Sequence, residues 1–127
     1  MTRRPFGLPL LLLAAGCGGG EPTAAWLGRL HDADSATRLT AVKTLGPRTS
    51  EADAIVPALA ERLRQDEDPY VRRDSANALG GFGAAAKPAW AGLVSAARTD
   101  RDPRVRKSAA AALKKIDPAA AARDGVK

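Results

Sequence analysis

The chain has 127 residues, enough for one small domain. Its apolar residues are mostly Ala, Leu and Val, and its aromatics are only Phe6, Trp26, Tyr70, Phe82 and Trp90, which favours helices around a thin core. A net charge of +6 is too mild to mark a dedicated nucleic-acid binder, and the single cysteine, Cys17, excludes an internal disulfide and a multi-cysteine metal site.

The first element in chain order is an export signal. Arg3 and Arg4 precede an apolar run from Phe6 to Ala15, and the small residues Gly16-Cys17 follow. The run is too short to span a bilayer, which takes roughly 20 apolar residues. Leu13-Ala14-Ala15-Gly16-Cys17 resembles the lipobox of bacterial lipoproteins, departing from it where Ala14 replaces the leucine usual three places before the cysteine. The resemblance implies cleavage of a signal peptide at residues 1–16, acylation of Cys17 and a lipid anchor in the bacterial cell envelope. Residues 17–22 then read as a glycine-rich tether. Thr2-Arg3-Arg4-Pro5-Phe6-Gly7-Leu8 also resembles a twin-arginine export motif, with Gly7 where a bulkier apolar residue is usual. Either route leads out of the cytoplasm.

Residues 23–118 carry an internal repeat. Asp68-Pro69-Tyr70-Val71-Arg72 recurs 34 residues later as Asp102-Pro103-Arg104-Val105-Arg106, and in weaker form 34 residues earlier as Asp34-Ser35-Ala36-Thr37-Arg38. The same step links Leu45, Leu79 and Leu113, and also Asp32, Asp66 and Asp100. Three units of about 23–48, 52–82 and 86–116 follow, with a tail at 119–127. Each unit reads as two helices. Ile55, Val56, Leu59 and Leu63 form the apolar stripe of a first helix, and Val71, Ser75, Ala78, Leu79 and Phe82 that of a second. Asp68 and Asp102 are expected N-caps, with proline at the next position; Pro88 is expected near the start of the third unit's first helix, and Gly80, Gly81 and Gly83 are expected to end the second helix of the second unit.

The repeat resembles the short bacterial HEAT-like units also found in phycobilin lyases. Its carriers are Asp66–Ser75 and Asp100–Ala109, which share the pattern D-x-D-P-x-V-R-x-x-[AS]. The resemblance implies an all-α fold, a short α-solenoid of three HEAT-like hairpins. It also implies a structural ladder in which the turn aspartate meets the arginine six residues on, in its own or the adjoining unit. The pairs would be Asp32 with Arg38, Asp66 with Arg72 and Asp100 with Arg106. Tetratricopeptide repeats share the period, but their Trp, Gly-Tyr and Phe positions are unmatched in any unit.

Candidate chemistry is sparse. His31, the only histidine, falls in a turn, and no nucleophile has an evident base, so no catalytic residue, metal site or cofactor is expected. HEAT-like iron hydroxylases carry paired His-Glu dipeptides, which are absent here. Phycobilin lyases enclose a tetrapyrrole that three units can hardly surround, which leaves a degenerate or accessory lyase subunit binding a small molecule as one alternative. A basic nucleic-acid binder is another, weakened by interleaved acidic residues and by export. Asp66, Glu67 and Asp68 suggest a cation site less than they suggest capping and pairing.

The expected function is protein–protein interaction. A rotation of about 100° per residue sets Tyr70, Arg73, Asn77 and Gly80 opposite the buried stripe of the second helix. Arg104, Lys107, Ala111 and Lys114 take these places in the third unit, and Leu39, Lys43 and Gly46 in the first. In HEAT-like solenoids this face lines the concave surface. The expectation is a basic ribbon without acidic residues, with Tyr70 and Leu39 as apolar anchors, taking an acidic protein segment.

Overall fold

The computed structural model describes residues 20–127. The structure is all-α: seven helices and two 3₁₀ segments, without a strand among the described residues. They are α1 (Thr23–Arg29), α2 (Ser35–Leu45), α3 (Ala52–Gln65), α4 (Pro69–Gly81), α5 (Trp90–Thr99), α6 (Pro103–Ile116) and α7 (Pro118–Arg123). The 3₁₀ segments Thr49–Glu51 and Gly83–Ala89 join one hairpin to the next.

The second helix of every hairpin starts the same way. Asp34, Asp68 and Asp102 are extended N-caps whose carboxylates accept the N–H two residues on, at 3.3, 2.8 and 2.8 Å. Each cap satisfies a donor that the helix cannot pair internally. Pro69 and Pro103 take the first helical position, where no N–H is needed. In the first unit Ser35 does without the proline, and the cap alone begins the helix.

The hairpins α1–α2, α3–α4 and α5–α6 stack so that α4 lies between α2 and α6, while α3 packs beside α5. One continuous core runs between these layers. Leu30, Leu45, Leu59, Leu63, Leu79, Leu93 and Leu113 are buried in it, with Ile55, Val71 and Val105. Leu45, Leu79 and Leu113, Leu59 and Leu93, and Val71 and Val105 fall on the 34-residue step. One stripe position differs. Ala76 is buried, whereas the expected Ala78 is only half-buried, because it lines an open groove beside Gly46 at the end of α2.

Glycines set the tightest approach between second helices. Gly80 does not end α4. It is a buried helical residue, and a β-carbon on it would stand 3.0 Å from Ala112 Cα of α6. The helix ends beyond it, and Gly83, at φ +60°, makes the left-handed turn into the 3₁₀ segment.

Two other boundaries differ from the sequence reading. Pro88 lies in that 3₁₀ segment, so α5 begins only at Trp90. The stretch read as a tail holds α7, capped by Asp117 and docked through the buried Ala121. Trp90 Nε1 donates to Asp124 at 2.9 Å, and Arg98 donates to the Asp124 carbonyl, tying residues 124–127 across α5. Among the described residues no helix is long and apolar enough to cross a membrane.

Candidate partner-binding face

The face is positioned by an arginine ladder between hairpins. Arg38 donates through Nε and Nη2 to both carboxylate oxygens of Asp66, at 2.8 and 2.9 Å. Arg72 makes the same fork on Asp100, at 3.0 and 3.1 Å. These carboxylate pairs run between units, 28 residues apart, and not between the residues six apart within a unit. Within its unit each arginine instead donates to the turn's backbone: Arg38 to the Asp32 carbonyl, Arg72 to that of Asp66 and Arg106 to that of Asp100. The cause is the turn itself. The carboxylates of Asp32, Asp66 and Asp100 each accept the N–H two residues on, which turns them away from their own arginine.

Asp66 is the best-supplied rung. Its side chain is wholly buried, and Arg62 adds a contact at 3.2 Å. Burial pushes its pKa up, but the Arg38 hydrogen bonds, the Asp68 N–H and the charge of Arg62 outweigh that and hold the carboxyl below its ordinary value. Its oxygens are thus engaged by arginines and backbone. Asp32, by contrast, is exposed, and its carboxylate meets no basic side chain among the described residues.

With the hairpins locked in register, equivalent positions on the second helices meet. Tyr70 is the one large apolar side chain that is exposed among the described residues, at 45%. Arg104, its counterpart one unit on, donates to the Tyr70 hydroxyl at 2.9 Å and sets its guanidinium 4.6 Å from the ring centroid. Arg73 lies 5.2 Å from the same centroid. Two cations thus hold one tyrosine in place, within the range of attraction to the ring's π face. Lys43, Asn77, Lys107 and Lys114 are exposed on the same helices; Leu39 is half-buried against the core.

Two features of this face differ from the expected ribbon. It is not free of acid: Arg73 donates to Asp74 at 2.8 Å, and Arg104 to Asp102 at 2.8 and 3.1 Å. The Arg104 hydrogen bond holds the Asp102 carboxyl well below the carboxylate range. Nor is Gly80 exposed on it, being packed against α6. The face also contains a groove of about 400 Å³ between α2 and α4, floored by Val42, Gly46, Pro47 and Ala78, with Lys43 and Asp74 at its mouth. Asp74 stands four residues after Tyr70, so helical spacing alone places it on this side. The groove has its signal in the small residues Gly46, Ala78 and Gly81.

His31 lies exposed in the turn after α1. Cys17, with the rest of the N-terminal segment, lies outside the described residues.

The sequence profile of HEAT repeats matches residues 23–114, the span from α1 to the last turn of α6. The chain belongs to the HEAT repeat family. HEAT repeats commonly serve as protein-interaction scaffolds, and the family is in general non-catalytic. No curated protein matches the chain in sequence.

Proposed function

We propose that this HEAT-repeat protein is an exported, lipid-anchored scaffold that holds a partner protein on the face formed by α2, α4 and α6. The observation that carries the reading is Tyr70, left exposed with the guanidinium groups of both Arg73 and Arg104 close to its ring. A fixed aromatic ring offers contact area with little rotamer entropy left to lose, and neighbouring arginines suit an anchor for binding. Lys43, Lys107 and Lys114 are exposed further along the second helices, whereas Asp74 and Asp102 are engaged by arginines. The remaining positive charge favours an acidic segment with an apolar residue beside Tyr70 or in the α2–α4 groove. The export signal and Cys17 support binding in the cell envelope, with the glycine tether giving the solenoid reach from the membrane.

A photo-reactive residue at position 70, expressed in the native host, tests the reading. Adducts with an envelope protein should form from position 70, but not from the exposed Ala54 on α3, and should disappear when Arg73 and Lys107 are both replaced by Glu. Equal adducts from both positions, or adducts indifferent to the double replacement in a folded protein, would move the site off this face. Membrane-extracted protein should also start at an acylated Cys17; an unmodified start would remove the anchor.

A further inference from the structure

The ladder that joins the hairpins has one rung without a carboxylate. Arg106 is tethered like Arg38 and Arg72, its Nη1 donating to the carbonyl of its own turn at Asp100. Unlike them, its guanidinium reaches no carboxylate among the described residues, and residues 1–19 contain neither Asp nor Glu. It lines a cleft of about 340 Å³ between α5, α6 and residues 125–127. The floor is apolar, from Val94, Ala97, Ala110 and Val126, and the wall carries Arg98, Arg106 and Lys107.

At the other end of the solenoid is the matching acceptor. Asp32 accepts the Asp34 N–H at 2.8 Å, as Asp66 accepts that of Asp68 and Asp100 that of Asp102, both at 2.9 Å. The Asp32–Asp34 turn therefore has the shape of the two turns already seated on Arg38 and Arg72. Its residues are exposed, and the Asp32 carboxylate meets no basic side chain among the described residues.

We propose that copies of this chain associate head to tail, the Asp32–Asp34 turn of one copy seated on Arg106 of the next. The molecule twice shows the contact that would form: a two-pronged guanidinium–carboxylate pair with its arginine pre-oriented by a backbone carbonyl. Charge complementarity points the same way, because the cleft wall is basic and the turn is acidic. Donor and acceptor lie at opposite ends, so the contact is heterologous and can propagate from copy to copy. It is also weak. Residues 124–127 cover the α5 side of the end face and leave the turn to bind mainly through the arginine. The association does not use Tyr70 or Arg73; Lys107 borders both surfaces, so it is Arg106→Gln, which leaves Tyr70, Arg73 and Lys107 in place, that separates this contact from the partner-binding reading.

The native Lys107 beside Arg106 supplies the test. Full chains, half of them labelled with ¹⁵N, are mixed in a non-ionic detergent and treated with a zero-length carbodiimide, which joins carboxylates to amines. Peptides that join a heavy chain to a light one should link Asp32 or Asp34 to Lys107. Their yield should fall at least about tenfold in Arg106→Gln, which removes no reacting group, and should also fall with salt. Circular dichroism checks that variant's fold. Should it unfold, Arg106→Lys takes its place and should give a direct link between copies from Asp32 to the amine introduced at position 106. The proposal is overturned by an absence of heavy–light links between this turn and residues 106–107. It is equally overturned by links scattered over the surface, or by a yield unchanged in folded Arg106→Gln.

Discussion

Removing the Asp66 carboxylate, by Asp66→Ala, should be the most damaging single change in the ladder. The substitution leaves the Arg38 fork without its acceptors, in a site where the carboxylate was wholly buried and the arginine side chain is 9% exposed. Arg38 keeps only the Asp32 and Ala33 carbonyls, Arg62 loses its contact at 3.2 Å, and the Asp68 N–H loses its acceptor. Breaking one side of a buried pair costs about 3–5 kcal/mol, most of it from stranding the other charge. For a domain of about 100 residues each kcal/mol lowers Tm by about 4–8 °C, so a fall of at least about 12 °C is expected. Total stability is only about 5–15 kcal/mol for such a domain, so at the lower end of that range the variant sits close to unfolding.

The three turn aspartates grade this expectation. Asp100 has one arginine, longer bonds of 3.0 and 3.1 Å and a side chain that is 10% exposed, so Asp100→Ala should cost about 1.5–3 kcal/mol. Asp32 is exposed and holds only the Asp34 N–H, so Asp32→Ala should stay within about 1 kcal/mol. Thermal and urea unfolding followed by circular dichroism would rank the three. A double replacement by apolar residues, Arg38→Met with Asp66→Leu, should be less damaging than Asp66→Ala alone, because neither charge is then stranded. Equal effects at the three positions, or an Asp66→Ala cost below about 1 kcal/mol, would refute the inter-unit ladder.

Two adjacent glycines should respond in opposite directions. Gly80→Ala should destabilise by about 1–3 kcal/mol, because its β-carbon meets α6 backbone at 3.0 Å, whereas Gly81→Ala points into open space and should stabilise by about 0.5–1 kcal/mol; both are read from urea midpoints. Ser75 is fully buried with its hydroxyl unpaired, where the other units have Ala41 and Ala109, so Ser75→Ala should raise stability by about 1 kcal/mol in the same assay. Acid should weaken the fold through Asp66: its carboxyl is held below the ordinary 3.8, so its contribution is complete above that pH and is lost as pH falls through the depressed value. Melting temperatures taken from neutral pH into strong acid should therefore fall less steeply below the ordinary carboxylate range in Asp66→Asn than in the unaltered protein.

Much of this fold can be read from the chain because its determinants are local. N-caps at Asp34, Asp68 and Asp102 and prolines at 69 and 103 start the second helices, and the leucines at 45, 79 and 113 recur on the step that separates units. The misread ends have weaker local signals. The proline at 88 suits a helix start, but here the chain continues in 3₁₀ form to Ala89 because it must first leave the Gly83 turn. Gly80 looks like a helix terminator in sequence, yet its absent side chain serves α6, a neighbour 32 residues away that no local pattern reveals. The helix α7 opens with the same Asp-Pro signal at Asp117 and Pro118, but the alanine run that follows carries no amphipathic stripe and takes its order from docking Ala121.

The ladder departs from the sequence reading for a more specific reason, one that bears on how the face is built. Two residues six apart in sequence invite pairing, and the repeat shows three such couples. The turn aspartate's Oδ1 accepts the N–H two residues on, and in that orientation both of its oxygens face the arginine of the preceding hairpin and not its own. The arginine of that hairpin is the side chain within reach, so the pairing falls at 28 residues rather than six. The consequence reaches Tyr70. An in-unit ladder would stiffen each hairpin and leave their relative register to apolar packing, which among small residues such as Ala76 and Ala112 offers little shape to choose between. An inter-unit ladder ties α2 to the turn before α4, and α4 to the turn before α6. Only with that register set does Arg104 come within 2.9 Å of the Tyr70 hydroxyl. The spectroscopic expectation follows directly: Arg72→Met, which removes the rung between these two units, should loosen Tyr70 without touching it. Tyrosine fluorescence anisotropy cannot isolate it beside Trp26 and Trp90, but fluorine labelling of the single tyrosine can. In a folded Arg72→Met protein the ¹⁹F line should shift toward the solvent-exposed position and narrow. An unchanged line would mean that the face is held together without the ladder.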